Sequence, residues 1–257
     1  MSRLAGKVAV VTGAGQGIGR GIAHAMAREG ADIAVVGRTL YKLEAVAVEL
    51  QHFGVRAIAV QCDVSRRGDV EDAVGAIGAE LGGVDILVNN AQDLREIYKP
   101  LADISDEDMD RSWRSGVMGS LYFMQVCLPH LHGGGKVINV GSAGGIVGAA
   151  RYPAYSVAKE GIRALTRVAA REWGQLGINV NTICPAADTP TSERMQHEHP
   201  EMAAMAESMV SMLPIPRRGR AEEDIGRVAV FLASSDSDYI TGHTLMVDGG
   251  GFIDAGR

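Results

Sequence analysis

Cysteine, aromatic side chains and clustered positive charge are all scarce in this chain, and each scarcity excludes a class of protein. Three cysteines occur, Cys62, Cys127 and Cys184, odd in number and far apart. That is neither a disulfide framework nor zinc-ligand spacing, and the expectation is of small buried hydrophobes in a reducing compartment. Aromatics make up 5% of the residues, too few for an aromatic-rich binding surface. Lysine and arginine total 25 against 31 acidic residues, a net charge of −6, and they form no block. The electrostatic footprint of a nucleic-acid binder is therefore missing. An anionic ligand would have to be held by backbone amides and a few placed bases. The apolar runs are too short to span a bilayer, and Met1 to Lys7 leads almost directly into an apolar strand without the parts of a signal peptide. A cytoplasmic location, with no membrane partner, is expected.

What is present is apolar and glycine-rich: 46% hydrophobic residues and 33 glycines in 257. Short Val/Ile/Ala runs cover Lys7–Thr12, Asp32–Gly37, Val55–Gln61, Val84–Asn89, Lys136–Gly141, Ile178–Cys184 and His243–Val247. Most show no polar alternation, the mark of strands covered on both faces. Helical stretches lie between them, at Gly17–Glu29, Leu40–Phe53, Val70–Leu81, Asp106–Leu131, Tyr152–Leu176 and Ala221–Leu232. Strand and helix in alternation predict right-handed βαβ units in one doubly wound, Rossmann-like α/β domain over 1–257, a parallel sheet of about seven strands with helices on both faces. One stretch breaks the rhythm. Residues at about 186–220, with Pro190, Pro200, Pro214 and Pro216 and a run of Met195, Met202, Met205, Met209 and Met212, are too many for an ordinary connection. Such an excursion at a strand's carboxyl end is placed as a lid over an apolar substrate, or as a helix pair packing its own methionine stripe.

Thr12-Gly13-Ala14-Gly15-Gln16-Gly17-Ile18-Gly19 ends the first strand and opens the first helix. Glycines there let the chain turn sharply and let amides approach a pyrophosphate at the positive end of a helix. The spacing is G-x-x-x-G-x-G, and here the chain resembles the classical short-chain dehydrogenases/reductases, whose first turn is TGxxxGxG. The resemblance recurs in order from about Lys7 to Gly251. Asp63, followed by Val64, matches the family's adenine-contacting aspartate. Asn89-Asn90-Ala91 matches the start of its NNAG element. Arg218-Gly219 with Ala221-Glu222-Glu223-Asp224-Ile225, then Tyr239-Ile240-Thr241-Gly242 and Val247-Asp248-Gly249-Gly250, match its late helix and last strand. By that resemblance Gly13, Gly15, Gln16, Gly17, Ile18, Gly19, Asp63, Val64, Asn90, Ala91 and Pro185 bind the cofactor. The end of the second strand decides which cofactor. Val36-Gly37-Arg38-Thr39 carries no acid to repel a 2′-phosphate, and Arg38 offers a fork suited to one, so NADP(H) is expected over NAD(H). Gln16 stands where many NADP enzymes carry a second base.

Tyr155 and Lys159 lie one helical turn apart and share a helix face. A phenol ionises near pH ~10, and a neighbouring ammonium is expected to bring that down, giving a usable acid/base. Ser142, just past the fifth strand run, is placed to hold the same substrate oxygen. In the resembling family this serine, tyrosine and lysine are the catalytic set, and the lysine also bonds the nicotinamide ribose. Two positions depart from the pattern. Gly116 replaces the family's fourth catalytic residue, an asparagine that helps hold a kink whose carbonyl binds a relay water near the lysine. Glycine preserves such an irregularity at about 1 kcal/mol of helix stability but supplies no side-chain bond. Gln92 replaces the last glycine of NNAG and is expected to crowd or reshape the floor near the nicotinamide. Gln92, Gly144 and Tyr152 are expected to line the substrate pocket; Tyr152 sits seven before Lys159, the spacing of the superfamily's enoyl reductases. Pro185-Ala186-Ala187-Asp188-Thr189 lacks the usual Pro-Gly, which predicts a stiffer lid hinge. His197 and His199, with no acidic cluster at ligand spacing, are expected on the surface rather than on a metal, and Arg95 and Lys99 in a solvated loop.

The resulting expectation is hydride transfer between NADP(H) and a small carbonyl or secondary-alcohol substrate, in a homotetramer or dimer assembled through the helices around Asp106–Leu131 and Tyr152–Leu176. The competing expectation is a catalytically silent NADP-binding sensor or scaffold, motivated by Gly116 and Gln92. An epimerase or dehydratase of the extended branch is disfavoured by the glycine spacing.

Overall fold

The computed structural model describes residues 2–95, 97–131 and 133–253, apart from the side chains of residues 200–203, 205 and 209. The chain begins with β1 (Val8–Thr12), α1 (Gly17–Arg28), β2 (Asp32–Gly37), α2 (Leu40–Gln51), β3 (Ala57–Gln61), α3 (Arg67–Leu81) and β4 (Ile86–Asn89). It continues with α4 (Asp106–Trp113), α5 (Gly119–Cys127), β5 (Lys136–Val140), α6 (Ala143–Ile146), α7 (Pro153–Trp173) and β6 (Asn179–Pro185). A helix pair follows, α8 (Pro190–Glu198) and α9 (Pro200–Met212), then α10 (Arg227–Ala233) and β7 (Thr244–Val247). The strands form one seven-stranded sheet in the order β3-β2-β1-β4-β5-β6-β7. Every neighbouring pair is parallel.

Alternate strand residues feed two cores. Ala9, Val11, Ile33 and Val35 pack against Ile22 and Met26 of α1, Leu43 and Leu50 of α2 and Val230 of α10. Val10, Leu87 and Val137 pack on the other face against Ile77 of α3, Phe123 and Met124 of α5 and Ala169 of α7. Burial on both faces is why the strands carry unbroken apolar runs.

The strand limits agree with the sequence expectation to within two residues at each end. The long helix expected over Asp106–Leu131 does not form as one piece. It is interrupted at Arg114–Met118 by a π-helical segment. Two side-chain bonds into helix carbonyls accompany the break, Ser115 Oγ to Arg111 O at 2.7 Å and Ser120 Oγ to Gly116 O at 2.8 Å, as expected where the ladder loosens. A second π-helical segment, Ala221–Gly226, precedes α10. Residues 190–212 form the pair α8 and α9, opened by Pro190 and a Thr189/Ser192 capping box. Of the methionine run, Met212 is 71% exposed, while the side chains of Met202, Met205 and Met209 lie outside the described residues.

Helix α1 and the Ala221–Gly226 segment touch backbone to backbone. A Cβ on Gly21 would lie 2.4 Å from the Ala221 carbonyl carbon, and one on Gly226 would lie 2.5 Å from Ala25 Cβ. Gly21→Ala is expected to lower stability by about 1–3 kcal/mol through overpacking. Gly75→Ala in α3, where a Cβ meets nothing within 4 Å, should hold or gain up to about 1 kcal/mol from helix propensity. Urea unfolding of the two variants checks the contrast; equal effects would contradict the close packing.

Candidate active site

Because β1 and β4 are neighbours whose connections leave in opposite directions, a crevice opens at their carboxyl ends. There a cavity of about 330 Å³ runs from Gly37, Arg38 and Lys42 at one end to Tyr155, Lys159 and Pro185 at the other. Gly13, Gly15, Gln16, Gly17 and Ile18 form its floor. Gly13 has φ +66°, and a Cβ on it would lie 2.8 Å from the Asn90 amide nitrogen, so only glycine makes this turn. Gln16 precedes α1 and no side chain caps that helix, leaving its first amides for a ligand. Gly19 does not line the cavity. A Cβ there would strike Asn90 Nδ2 at 2.5 Å and Gly13 O at 2.6 Å, so its part is close packing behind the turn. Asn90 likewise spends its amide on the protein: Nδ2 donates to Thr12 O at 2.9 Å and Gly13 O at 3.2 Å. Thr12 Oγ1 accepts from the amides of Asn90 and Ala91, both at 3.0 Å, and stitches β1 to β4.

At the far end, Asp63 and Val64 line the cavity, and the Asp63 carboxylate is held by Ser65 N at 3.0 Å and Ser65 Oγ at 2.7 Å. Arg38 is not the free fork that its position suggested. Its Nη1 donates to Asp93 Oδ2 at 3.0 Å, although the side chain stays 54% exposed. Burial pushes the Asp93 carboxyl up, but bonds from Arg95 and Arg38 outweigh it and hold the group down at about 2. The base that the glycine turn lacked comes from α2 instead. Lys42 Nζ donates to Gln16 Oε1 at 2.8 Å and lines the cavity beside Arg38. The sequence signal for it was a lysine one turn into the helix after β2.

At the near end, Ser142 follows β5 and caps α6, its Oγ accepting from Gly144 N at 3.1 Å. The Ser142 side chain lies close enough to Tyr155 to favour its phenolate, although Ser142 does not itself line the cavity. Lys159 is buried on the same face of α7, donates to Val140 O at 2.7 Å, and places Nζ 5.5 Å from the Tyr155 ring centre. The expected lowering of the Tyr155 pKa is not what the structure has. Burial raises it, and only Ser142 pulls the other way. The reason is that burial disfavours charge on both groups, and it brings Lys159 down to about 8. Gly144 and Tyr152 lie off the cavity. Gly144 O accepts from Ser156 Oγ at 3.3 Å, and Tyr152 packs 6.0 Å from the Tyr155 ring and 5.2 Å from Tyr98. Burial pushes the Tyr152 hydroxyl up to about 12.

Gln92 does reach the floor. It lines the cavity together with Ser115, Asp93 and Leu94, residues that the sequence reading passed over. The loop expectations hold for Arg95, whose side chain is 65% exposed although paired, and for exposed His197, and are corrected for Lys99 and His199. Arg95 and Lys99 are tied to the buried carboxylates Asp93 and Asp108, and His199 is half-buried with its ring 4.9 Å from Tyr98. Arg95 pairs with a residue only two positions away, whereas Lys99 and His199 meet partners further away in the chain. The segment after β6 is stapled: Ala187 bridges Gly219, and Asp188 takes a bond from Arg218 at 2.9 Å.

A family model described as enoyl-(acyl carrier protein) reductase matches residues 13–251. The chain is 40% identical over 253 residues to a 12α-hydroxysteroid dehydrogenase from a Clostridium species, spanning 95% of this chain and 96% of that one. An L-sorbose reductase from Gluconobacter frateurii, solved with NADPH and L-sorbose, superposes with a TM-score of 0.89 at 31% identity, over 97% and 98% of the two chains. A short-chain dehydrogenase from Burkholderia cenocepacia, solved with NADP, gives 0.87 at 32% identity over 97% and 99%. This chain belongs to the short-chain dehydrogenase/reductase family. As a member of it, the protein is an NAD(P)-dependent oxidoreductase that transfers hydride at CH–OH/C=O carbon.

The depressed Lys159 pKa has a consequence for stability. Below about pH 8 the lysine is charged folded and unfolded, and the cost of burying it is fully present. Between about 8 and its ordinary 10.5 the folded state has already lost the proton that the unfolded chain still holds, so stability from this group rises with pH. Relative to Lys159→Met, the parent should gain on the order of 3 kcal/mol across that window. Urea midpoints for both proteins at the two ends of the window test it, and a difference that stays constant would contradict the assignment.

Proposed function

We propose that the protein reduces a ketone, or oxidises the matching secondary alcohol, with NADP(H) preferred over NAD(H), and that Ser142, Tyr155 and Lys159 carry the proton chemistry. The observation that carries this reading is that Tyr155 and the buried Lys159, one turn along, line the cavity's end together, with Ser142 beside Tyr155. Bound in the cavity, the nicotinamide supplies hydride in reduction and accepts it in oxidation. The chain's own residues do the rest. Ser142, pinned by the Gly144 amide, donates to the substrate oxygen and fixes its direction. Tyr155 gives that oxygen its proton in reduction and removes it in oxidation. A raised Tyr155 pKa keeps the phenol protonated at neutral pH, which suits the reductive direction. Lys159 offers positive charge behind Tyr155 while it remains protonated.

The absence of an acid at Gly37, with Arg38 and Lys42 both on the cavity wall, supports a 2′-phosphate over a bare ribose. The NADP- and NADPH-bound relatives agree with this. Tyr98 and Tyr152, packed as tilted rings in a row with Tyr155, support a substrate with a broad apolar face, in keeping with the steroid named for the Clostridium relative. Enoyl reduction through Tyr152 is the weaker reading, because Tyr155 and not Tyr152 lines the cavity with Lys159. Two further parts of the proposal concern setting. Free, buried cysteines support a reducing compartment such as the cytosol, and no helix among the described residues is long and apolar enough to cross a membrane. Exposed Trp113 on α4 and Val157 and Val168 on α7 support a homo-oligomer assembled through those helices.

Three measurements test the reading. Tyr155→Phe should lose roughly 10²–10⁴-fold in kcat, followed by nicotinamide absorbance over a panel of ketones and alcohols; unchanged turnover refutes the role. Arg38→Ala with Lys42→Ala should raise KM for NADPH about 10–100-fold, from the loss of charge-assisted bonds, and leave NADH nearly unaffected. Equal losses for both cofactors would remove the case for NADP(H). With the Tyr155 pKa raised, the oxidation rate should climb with pH beyond neutrality while reduction holds until the phenol ionises; the opposite slopes would contradict the assigned direction of proton flow.

A further inference from the structure

One ion pair crosses the cofactor cavity. Arg38 follows β2 and Asp93 follows β4, and β1 lies between those strands in the sheet. Neighbouring strands are about 4.8 Å apart, so the strand ends that carry the two residues are on the order of 10 Å apart. Arg38 Nη1 nevertheless donates to Asp93 Oδ2 at 3.0 Å. The pair therefore reaches across the carboxyl end of β1, where the glycine turn departs. Both residues line the cavity, as do Gly15, Gln16 and Lys42.

The two partners depend on each other unequally. The Asp93 carboxylate is buried, and Arg95 already grips it. The Arg95 amide and Nε donate to Oδ1 at 3.1 and 3.0 Å, and its Nη2 donates to Oδ2. A buried carboxylate that loses its last cation is costly, but this one keeps Arg95 when Arg38 leaves. Arg38 is half-exposed, with room to turn to a second anion. Bonds from Arg95 and Arg38 hold the Asp93 carboxyl at about 2, so its charge is present near neutrality. Lys42 differs, because its Nζ bonds the uncharged Gln16 amide. Of these two bases, only Arg38 is held by a rival to phosphate.

We propose that Asp93 is a specificity-determining residue: it competes with the 2′-phosphate of NADP(H) for Arg38, and Arg95 is the reserve partner that balances the carboxylate when Arg38 turns to the phosphate. A guanidinium holds a phosphate best through two parallel N–H bonds, and a donor spent on Asp93 is lost to that fork. The phosphate also brings negative charge toward a fixed carboxylate. NAD(H), with a bare 2′-hydroxyl, meets neither cost. Asp93 thus weakens the hold on NADP(H) selectively, and narrows the preference that Arg38 and Lys42 would otherwise set. The inference rests on the reading of Arg38 as a phosphate base.

The test is fluorescence titration of NADPH and NADH at one ionic strength. It compares the parent, Asp93→Asn, Arg95→Gln, Arg38→Ala, and the double variant Asp93→Asn with Arg38→Ala. Asp93→Asn should tighten NADPH binding about three- to tenfold, the scale of one charge-assisted bond, and shift NADH by less than about twofold. Arg95→Gln should act the other way and raise the NADPH Kd about two- to fivefold, because Arg38 is then the one cation that the described residues give a buried carboxylate. In the Arg38→Ala background, Asp93→Asn should bring no gain, the coupling expected of residues in contact. A gain that survives without Arg38 is through-space repulsion alone and overturns the competition. Weaker NADPH binding in Asp93→Asn also overturns it, by making Asp93 an orienting group for Arg38, as does an equal shift for both cofactors or none. Melting temperature reports folding. If Asp93→Asn does not fold, Arg95→Gln, altered at an exposed side chain, decides. A raised NADPH Kd with NADH unchanged then supports the proposal, and any other result overturns it. Arg38→Ala separates the two levels. If it keeps the parent's ratio of NADPH to NADH affinity, the underlying reading of Arg38 fails. If it lowers that ratio while Asp93→Asn changes nothing, only the role of Asp93 fails.

Discussion

All the strands run the same way, so their carboxyl ends share one rim, and everything the protein does chemically is hung from that rim. The glycine turn leaves β1 there, Asn90 leaves β4, Ser142 leaves β5 and Pro185 ends β6. The crevice exists because the chain reverses its winding direction between β1 and β4, and the ligand cavity is that crevice. Holding it open requires backbones to approach closely without filling it. That explains why Gly13 and Gly19 face Asn90 at distances no side chain would tolerate, and why Thr12 uses one hydroxyl to tie three backbone groups from β4 and the loop after it.

The same rim decides the electrostatics. Lys159 reaches it buried, with a strand carbonyl as its bond partner, and so becomes easier to deprotonate. Tyr155 beside it becomes harder to ionise. The two shifts have one cause, the cost of charge in a dry site, and they move the proton affinities of the two groups apart, Lys159 down from 10.5 to about 8 and Tyr155 up from its ordinary 10. At the opposite end Asp93 gathers Arg38 and Arg95. A buried carboxylate there keeps a guanidinium on the cavity wall.

Much of this was legible in the chain itself. Unbroken Val and Ile runs announced strands covered on both faces, and their alternation with helical stretches announced the doubly wound sheet. The glycine spacing, Tyr155, Lys159 and Ser142 were visible as motifs, because each depends on short spacing along one turn or one helix face. Legibility ended where distant residues meet. Lys42 stands beside Gln16 only because α2 packs next to the turn. Arg38 looks like a solvated base until Asp93, 55 residues away, is folded against it. The break in the Asp106–Leu131 helix left only a glycine and two serines in the sequence, and its cause is tertiary, with Asp93 N bonding Ser115 Oγ at 3.0 Å.

Gln92 and Gly116 make the division plain. Read along the chain, each is an isolated loss, a bulky residue where glycine belongs and a glycine where an amide belongs. Folded, they are one exchange, with the amide entering from β4 to occupy the space the helix gave up. Local rules, helical spacing, turn chemistry and burial pattern, act through near neighbours and are written in the sequence. The family and the sheet followed from them. Which groups share a cavity, and therefore which charge is buried, depends on contacts between segments far apart in the chain. Only the packed tertiary structure decides those, because desolvation is a property of the whole enclosure and not of any one residue.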